Sequence, residues 1–420
     1  MIKSERNLAD DNSNIAPVQH LIGDNTADNK SNNSGNNTTI INTVASSSVT
    51  ENKSNNSRNN TFTNQSVLVT GGSGFLGRHI VSVLRSHAPE VKGICVLDPR
   101  PFEPLSGLSD ENPECVTYFQ GSITDPVMLR KAMEGVHSVY HIAGKISFGT
   151  FPDFNEMNRI NIQGTEEVIK ACLEKDVCRL IFCSTVDVAI GYHDIINGCE
   201  VTTAAPPIKF LFPGYPESKH RAECIVLGAN QQKTKNCGTL HTLSLRANVM
   251  YGEGDPYYIT SGLRNAAGSN GTLYRVGAMA AKFQPVYAGN TAWAFICADR
   301  ALARKSSLGG QFYYIPDDTP IQSTFNFIKP FLEIRGFKLS TFSLPYGLVY
   351  YGLLGLEWIA KLLSPIYRIT LPAESYSIRY INMDLYFSRE KATRELGFQP
   401  IFFPKDAIAR CLSYYRDVKL

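Results

Sequence analysis

The sequence has little net charge and no pattern of metal-binding residues. Its 41 Lys and Arg against 38 Asp and Glu leave a net charge of +3 over 420 residues. With no basic stripe, so small an excess argues against a dedicated nucleic-acid-binding protein. The 10 cysteines include no Cys-x-x-Cys pair and no Cys/His cluster with zinc-ligand spacing. We therefore expect no metal site and no disulfide framework, but buried thiols in a reducing compartment.

The first 65 residues lack the apolar residues that a folded core needs. Asn, Ser, Thr and Asp dominate this segment, and it has no apolar stretch of the kind found in a signal peptide. Such a composition cannot bury enough apolar surface to offset the entropy lost on ordering, so residues 1–65 are predicted to be a disordered tail. The remaining length is enough for a large α/β domain with an appended lobe.

Residues 66–77 combine a short apolar strand, a glycine turn and the start of a helix. Gly71, Gly74 and Gly77 follow the strand at intervals of three. The first permits a tight turn, the second lets the backbone approach a pyrophosphate, and the third lets the helix pack against the strand. The helix N-terminus then faces the phosphates. The pattern predicts a dinucleotide site, and a glycine turn without a ligand is the alternative.

A second apolar strand, residues 94–97, ends in Asp98. An acidic residue about 20 positions past the glycines suits the ribose hydroxyls of the adenosine half of NAD. A carboxylate there would repel the 2′-phosphate of NADP, although the neighbouring Arg100 is a cation that could offset this. NAD is therefore the expected cofactor, and NADP is the less favoured one.

From residue 66 onward, strand and helix patterns alternate, which predicts an α/β fold: a Rossmann-type, doubly wound parallel sheet. We expect an NAD-binding domain with the catalytic residues at 66–250. The aromatic-rich residues 251–420 are expected to form a smaller C-terminal substrate lobe interleaved with the last strands. The pattern places strands at 67–69, 94–97, 116–119, 138–143, 179–183 and 241–246, and helices at about 126–135 and 154–175.

Tyr215 and Lys219 lie four residues apart on a predicted helix, so their side chains point the same way. A long loop, residues 186–213, separates them from Ser184 and Thr185 at the end of the fifth strand, where ligands bind in open α/β sheets. A lysine ammonium one turn away should lower the pKa of the tyrosine and make it a usable acid/base. A hydroxyl at position 185 could hold the substrate oxygen. An ordinary surface pair is the alternative.

Several segments resemble the extended short-chain dehydrogenases/reductases, and most closely the 3β-hydroxysteroid dehydrogenase/isomerase group with its 42E-type relatives. The similarity covers about residues 66–415. The segments that carry it are 70–81, 161–165, 182–188, 245–254, 286–294 and 387–398. One departure is Ser122, which stands where that group usually has an Asp near the adenine.

The resemblance implies a role for individual residues. Tyr215 is the implied proton donor and acceptor, Lys219 its activator and a ribose ligand, and Thr185 the third catalytic group, with Ser184 beside it. The implied cofactor-binding residues are Gly71, Gly74, Phe75, Leu76, Gly77, Asp98 and Lys219.

The expected function is the NAD-dependent oxidation of a secondary alcohol on an apolar small molecule, with a 3β-hydroxysteroid or sterol first. The steroid part is implied by the resemblance. A nucleotide-sugar epimerase, a flavonoid-type reductase and an inactive NAD-binding protein stay open as alternatives. Steroid isomerisation would need a further acid or base, which the sequence does not identify. The oligomeric state stays open, and a homodimer is one of its possibilities.

Residues 344–363 form an apolar stretch interrupted by Glu357 and Lys361. Three interpretations stay open for it: a buried or lid helix, a helix lying on a membrane surface, or a membrane span, for which the run is short. The expected location is accordingly the cytoplasm, with association with the endoplasmic reticulum membrane left open.

Overall fold

The computed structural model of the chain describes residues 65–105, 116–277 and 280–420. The predicted disordered tail lies outside the described residues, except that Gln65 begins the first strand. Thirteen strands are formed within the described ranges: β1 Gln65–Thr70, β2 Val91–Asp98, β3 Val116–Gln120, β4 Ser138–His141, β5 Arg179–Thr185, β6 Ile195–Gly198, β7 His241–Ala247, β8 Met250–Tyr251, β9 Thr272–Val276, β10 Val286–Tyr287, β11 Gln311–Tyr314, β12 Lys338–Leu344 and β13 Leu385–Phe387.

Twelve α-helices connect these strands in the same ranges: α1 Phe75–His87, α2 Pro126–Ala132, α3 Phe154–Met157, α4 Gly164–Glu174, α5 Tyr215–Gly228, α6 Ile259–Gly268, α7 Ala288–Arg304, α8 Thr324–Glu333, α9 Tyr346–Leu363, α10 Ser375–Tyr380, α11 Glu390–Leu396 and α12 Pro404–Asp417. Asp125 caps α2 by accepting hydrogen bonds from the backbone N–H groups of Val127 and Met128.

Seven strands form one parallel sheet in the order β11-β7-β5-β4-β1-β2-β3. Helices α1 and α7 cover one face, and α2, α4 and α5 cover the other. Val67, Leu68 and Val69 in β1 are fully buried because both faces of this central strand are covered. The predicted Rossmann-type, doubly wound parallel sheet is confirmed. It brings the carboxyl ends of β1, β4 and β5 to one edge.

The second half of the chain contributes to this sheet as well as forming its own core. Strand β11 forms one edge of the sheet, and α7 packs against α1. Helices α6, α8 and α12 enclose a separate cluster that includes Leu263, Phe331 and Tyr415, all with 0% exposure. This cluster is built entirely from residues that follow position 250.

Two predicted elements differ from the observed ones. The helix expected at 154–175 is interrupted at Asn158–Gln163 by a π-helical segment between α3 and α4. The long loop after β5 holds a 3₁₀ turn, Val186–Ala189, and then β6, which pairs with β13 about 190 residues later in the chain. Sequence periodicity does not reveal a four-residue strand whose partner is so distant.

Most of helix α9 is exposed. Its buried residues are Glu357 and Ala360, whereas Leu348, Trp358 and Leu362 are at least 72% exposed. The interpretation of residues 344–363 as a buried helix is therefore wrong. Within the described residues, no helix is both long and apolar enough to cross a bilayer.

A buried ion pair fixes α5 to the sheet. The guanidinium of Arg246 in β7 donates to the carboxylate of Glu223 in α5 at 2.7 Å, and the two side chains are 4% and 2% exposed. Ser244 Oγ donates to the same carboxylate at 2.7 Å, and the Arg246 guanidinium lies 3.6 Å from the centre of the Phe312 ring. Glu223 lies one helical turn from Lys219, so the pair fixes to the sheet the part of α5 that carries this lysine.

We predict that Glu223→Ala lowers the free energy of unfolding by about 3–5 kcal/mol, because Arg246 would be left buried without a counter-charge. Urea unfolding measures the change. The matched control is Glu217→Ala, on an exposed position of the same helix, which should change stability by less than about 0.5 kcal/mol. Equal effects of the two substitutions would contradict the anchoring role of the pair.

Candidate active site

The glycine turn between β1 and α1 is shaped by close backbone contacts. Gly71 has φ +73°, and a Cβ there would lie 2.8 Å from the backbone N and Cα of Ala143. Gly74 is the N-cap residue of α1 and donates its N–H to the Gly71 carbonyl at 3.0 Å. A Cβ on Gly77 would overlap the Gly71 carbonyl. The turn therefore needs glycine at 71 and 77, and Gly74 keeps the helix N-terminus open.

Asp98 ends β2 beside this turn and is 2% exposed. One of its carboxylate oxygens accepts from the backbone N–H of Ser73 at 3.2 Å, and the other accepts from the backbone N–H of Arg100 at 2.9 Å. The Arg100 guanidinium also donates to this carboxylate, with its Nε at 3.2 Å. The carboxylate is thus held in place at the strand end, and an exposed cation covers it.

A cavity of about 320 Å³ joins the glycine turn to the predicted catalytic pair. Most of the predicted site residues line it: Gly71, Gly74, Phe75, Leu76, Asp98, Tyr215 and Lys219. Gly77 and Thr185 are not among the residues that line it. Ser122, which stands where the resembling group usually has an Asp near the adenine, lines the same cavity. Its hydroxyl lies 2.9 Å from that of Thr124.

Lys219 is a buried cation without a counter-charge in contact. It is 4% exposed, and its ammonium lies 4.1 Å from the centre of the Phe182 ring. It forms no hydrogen bond to any residue that the structure describes. Burial lowers its pKa from 10.5 to about 8, with Cys183 and Glu223 opposing this change. The ammonium is therefore free to serve a ligand in the cavity.

Tyr215 begins α5 immediately after Gly214, whose φ is +75°. Its ring makes an edge contact with Phe148, with 5.5 Å between ring centres. Burial raises the pKa of its phenol well above 10, and the charge of Asp187 is the next cause. The expected lowering of this pKa by Lys219 is not found, because burial and the charge of Asp187 dominate and both raise it. The phenol is accordingly a proton donor at neutral pH.

Thr185 is the last residue of β5 and is 9% exposed. Its Oγ1 accepts from the backbone N–H of Asp187 at 3.2 Å, and its side chain also hydrogen-bonds the Asp187 carboxylate. The neighbouring Ser184 Oγ is buried and has no hydrogen-bond partner among the described residues. Both hydroxyls therefore lie at the strand end where the sequence placed them.

Sequence reasoning missed two side chains at this site. Asn161, in the π-helical segment, accepts from the backbone N–H of Lys145 at 2.6 Å and donates to Ser218 Oγ at 2.9 Å. It ties the loop after β4 to α5, and π segments of this kind are frequent at functional sites. Asp187 lies in the 3₁₀ turn after Thr185. Both residues fall in segments of family resemblance, 161–165 and 182–188, which was the available signal.

Among the described residues, no group of three or more His, Cys, Asp and Glu side chains is arranged to hold a metal ion.

Solved structures with the same fold cover most of the chain. The UDP-glucose 4-epimerase of Thermus thermophilus, solved as a complex with NAD, is 22% identical with a TM-score of 0.57, covering 84% of this chain and 100% of that one. The UDP-glucuronic acid 4-epimerase of Bacillus cereus, also with NAD, is 19% identical with a TM-score of 0.59, covering 84% and 99%. At these identities the likeness establishes the fold alone.

A double mutant of the dTDP-glucose 4,6-dehydratase from Streptomyces venezuelae, solved with NAD and DAU bound, has the same fold. It is 20% identical with a TM-score of 0.58, and the alignment covers 84% of this chain and 97% of that one.

A match to a family model is more specific than the likeness of folds. The model described as the 3-beta hydroxysteroid dehydrogenase/isomerase family matches residues 68–346, which is 279 of the 420 residues. The matched range includes the glycine turn, Asp98, Thr185, Tyr215 and Lys219. It confirms the resemblance recognised from the sequence motifs. The chain belongs to the 3-beta hydroxysteroid dehydrogenase/isomerase family.

Proposed function

We propose that the protein is an NAD-dependent oxidoreductase that oxidises a secondary alcohol on an apolar small molecule, with a 3β-hydroxysteroid or sterol as the favoured substrate class. One observation carries the proposal: Tyr215 and Lys219 line the same cavity as Gly71, Gly74 and Asp98. A proton-transferring side chain and a dinucleotide cradle therefore share one space.

The residues of the cradle fit NAD. The glycine backbone leaves room at the N-terminus of α1, where unpaired N–H groups favour a pyrophosphate. The buried carboxylate of Asp98 suits ribose hydroxyls and disfavours a 2′-phosphate. Lys219 offers an ammonium with no protein acceptor, which suits a hydroxyl of the second ribose. When bound, NAD supplies a hydride acceptor that the protein's own side chains lack.

The side chains supply the proton chemistry. The substrate hydroxyl is held by Tyr215 Oη, with the hydroxyl of Thr185 as the third group of the catalytic set that the family resemblance implies. As the carbon loses hydride, the hydroxyl proton passes to the phenolic oxygen of Tyr215 in its ionised form. Because burial and Asp187 raise the pKa of Tyr215, the phenolate is scarce at neutral pH. Oxidation of the alcohol should therefore speed up as the pH rises.

The walls beside Tyr215 favour an apolar substrate. Phe148 contacts Phe212 with 5.2 Å between ring centres, and Phe212 contacts Tyr380 at 4.9 Å. The described cations that line the cavity are Arg100 and Lys219, and both have roles at the cofactor. Of the cations near this region, Arg300 pairs with Glu90, and Arg264 donates to the Pro256 carbonyl.

The apolar face of α9 supports a further part of the proposal, which is contact with a membrane surface. Leu348, Trp358 and Leu362 are 72%, 72% and 80% exposed. The exposed cation Lys361 lies in the last turn of the same helix, and the exposed Arg368 follows it in the chain. A helix with an exposed apolar face and bordering cations suits the interface of an anionic bilayer. Such a position would give an enzyme direct access to a substrate dissolved in lipid.

A fluorescence screen for NADH formation tests the proposed function. Purified full-length protein is incubated with NAD and, in separate arms, with 3β-hydroxysterols, with nucleotide sugars and with a flavonoid-type alcohol. The proposal expects NADH formation with the sterols. Turnover confined to nucleotide sugars would contradict the substrate class. NAD binding without turnover on any alcohol would identify an inactive binding protein instead.

We predict that Tyr215→Phe lowers kcat by about 10²–10⁴-fold, the usual contribution of a positioned acid/base. Only the phenol oxygen is removed, so NAD should bind with an affinity close to that of the wild type, measured by quenching of protein fluorescence. Near-normal turnover would contradict the assigned role.

We predict that Lys219→Met stabilises the fold at pH 7. The fall of the Lys219 pKa from 10.5 to about 8 corresponds to about 3 kcal/mol lost on folding at low pH. Below pH 8 both states are protonated and the full cost is present. Between pH 8 and 10.5 only the unfolded state stays protonated, so wild-type stability rises toward that of the variant. Urea unfolding at several pH values tests this.

The matched control for that series is Lys131→Met, at an exposed position of α2. It should show no comparable pH-dependent gain. A Lys219→Met protein less stable than the wild type at pH 7 would contradict the account of an unpaired buried cation.

We predict that Asp98→Ala weakens NAD binding and reduces the preference for NAD over NADP, because the carboxylate that repels a 2′-phosphate is lost. The matched variant Arg100→Ala should strengthen the preference, because the cation beside that carboxylate is removed. Kd values for both cofactors measure the two ratios. Identical ratios in all three proteins would reject the role of Asp98.

We predict that Leu348→Glu combined with Leu362→Glu reduces binding to anionic liposomes by at least about tenfold in a co-sedimentation assay. Each exposed apolar side chain contributes through burial in the bilayer interface. The control is Val127→Glu, which changes a 72% exposed side chain on α2. Equal liposome binding by the double variant and the wild type would exclude α9 as the contact surface.

A further inference from the structure

A second cavity, which we call the chamber, lies against helix α9. Its volume is about 440 Å³, larger than the 320 Å³ of the cavity at the glycine turn. Both volumes fall within the usual size of small-molecule sites, about 300–1,000 Å³. No residue lines both cavities. The chamber is therefore a separate space, which the proposed cofactor site does not use.

One face of α9 forms a wall of the chamber. Its lining residues on this helix are Tyr350, Leu354, Glu357 and Lys361. Their spacing of four, three and four residues puts them on a single stripe of the helix. Leu362, which is 80% exposed, lies outside that stripe. Helix α9 thus has an inner face that closes the chamber and an outer face that does not.

The wall of the chamber is mostly apolar or aromatic. Such lining residues include Phe154, Phe210, Leu211, Tyr350, Leu354 and Tyr376. The lining cations, Lys209 and Lys361, are exposed, so their ammonium groups can reach solvent. The buried carboxylate of Glu357 is already engaged, because it accepts from the backbone N–H of Ser375 at 2.5 Å. The chamber therefore suits an apolar group better than an ionic one.

The chamber and the cofactor cavity share a wall near the catalytic phenol. Ile146 lines the cofactor cavity, and Gly149, three residues later in the loop after β4, lines the chamber. Tyr215 and Pro213, two residues apart, are divided between the two cavities in the same way. Phe148 lies 5.5 Å from Tyr215 between ring centres and is 40% exposed. Phe148 therefore stands at the boundary between the phenol and the chamber.

A series of ring contacts leads from that boundary into the chamber. Phe148 lies 5.2 Å from Phe212 between ring centres, and Phe212 lies 5.4 Å from Tyr376, which lines the chamber. These rings provide an apolar surface from the catalytic phenol toward α9. An apolar molecule that lies along this surface is removed from water over its whole length, which favours its binding.

We propose that the chamber is a subsite for the distal part of the substrate and that Leu354 limits the length of molecule it accepts. The inference rests on the proposed function, because the reacting end of the substrate is the alcohol held at Tyr215. It deepens that function by selecting the class of alcohol: an elongated one, with an apolar extension that reaches past Phe148. The cofactor cavity has to hold a dinucleotide, whereas the chamber has no other occupant.

The test compares two alcohols that share one reacting group. Cyclohexanol carries the secondary alcohol alone, and 4-octylcyclohexanol adds an apolar chain. Full-length protein is titrated with each alcohol, with and without saturating NADH, which cannot accept a hydride, and calorimetry gives the Kd values. Because the added methylene groups are buried, we expect the wild type to bind 4-octylcyclohexanol at least about 100-fold more tightly than cyclohexanol.

Leu354→Trp places a larger side chain in the chamber. It should weaken the binding of 4-octylcyclohexanol by at least about tenfold, the effect of excluding two methylene groups, and change that of cyclohexanol by less than about twofold. The matched control is Leu356→Trp, at a 49% exposed position of α9 that does not line the chamber. It should bind both alcohols as the wild type does. Equal NADH affinity in the three proteins verifies that the variants are folded.

Three results would overturn the inference. The first is a wild type that binds 4-octylcyclohexanol no more tightly than cyclohexanol. The second is equal affinity of the wild type and Leu354→Trp for 4-octylcyclohexanol. The third is an equal loss of affinity for both alcohols in Leu354→Trp, which would make Leu354 a structural residue.

NADH formation from the same alcohols and NAD separates this inference from the proposed function. If the wild type oxidises cyclohexanol and any of the three results is found, the oxidation stands and the subsite is rejected. The expected pattern of affinities in a protein that oxidises no alcohol would instead support the subsite and contradict the oxidation.

Discussion

The site depends on a lysine held in the protein without a counter-charge. Lys219 is 4% exposed, and its ammonium meets an aromatic ring rather than a carboxylate. The neighbouring carboxylate, Glu223, is already bound to Arg246 by a buried ion pair. An arrangement of this kind lowers stability, and it persists because the same pair holds α5 against the sheet. The ammonium therefore stays available to a ligand. Proteins commonly accept such a loss of folding stability where the destabilising group serves the active site.

Most of the fold was predictable from the sequence because its signals are local. Apolar runs marked the buried strands, and Gly71 and Gly77 occupy positions where a Cβ would meet backbone atoms. The position of the Tyr215–Lys219 pair followed from helical spacing. The pKa of Tyr215 did not follow, because it depends on burial and on Asp187, a residue brought to the phenol by the turn after β5.

Elements that depend on distant partners escaped prediction. Strand β6 has four residues and pairs with β13, far along the chain. The sequence shows that Arg100 follows Asp98 two residues later, but it does not predict that the Arg100 guanidinium donates to the Asp98 carboxylate. The exposure of α9 likewise depends on which of its faces the rest of the chain covers. In each case the missing information is a tertiary contact, which a single sequence does not contain.

The most direct test of the central claim is a crystal structure of the full-length protein with NAD. We predict that the pyrophosphate lies at the N-terminus of α1, that Lys219 Nζ donates to a hydroxyl of the nicotinamide ribose, and that the nicotinamide ring faces Tyr215 Oη. A dinucleotide bound elsewhere, or one whose nicotinamide points away from Tyr215 while Lys219 stays without a partner, would contradict the account.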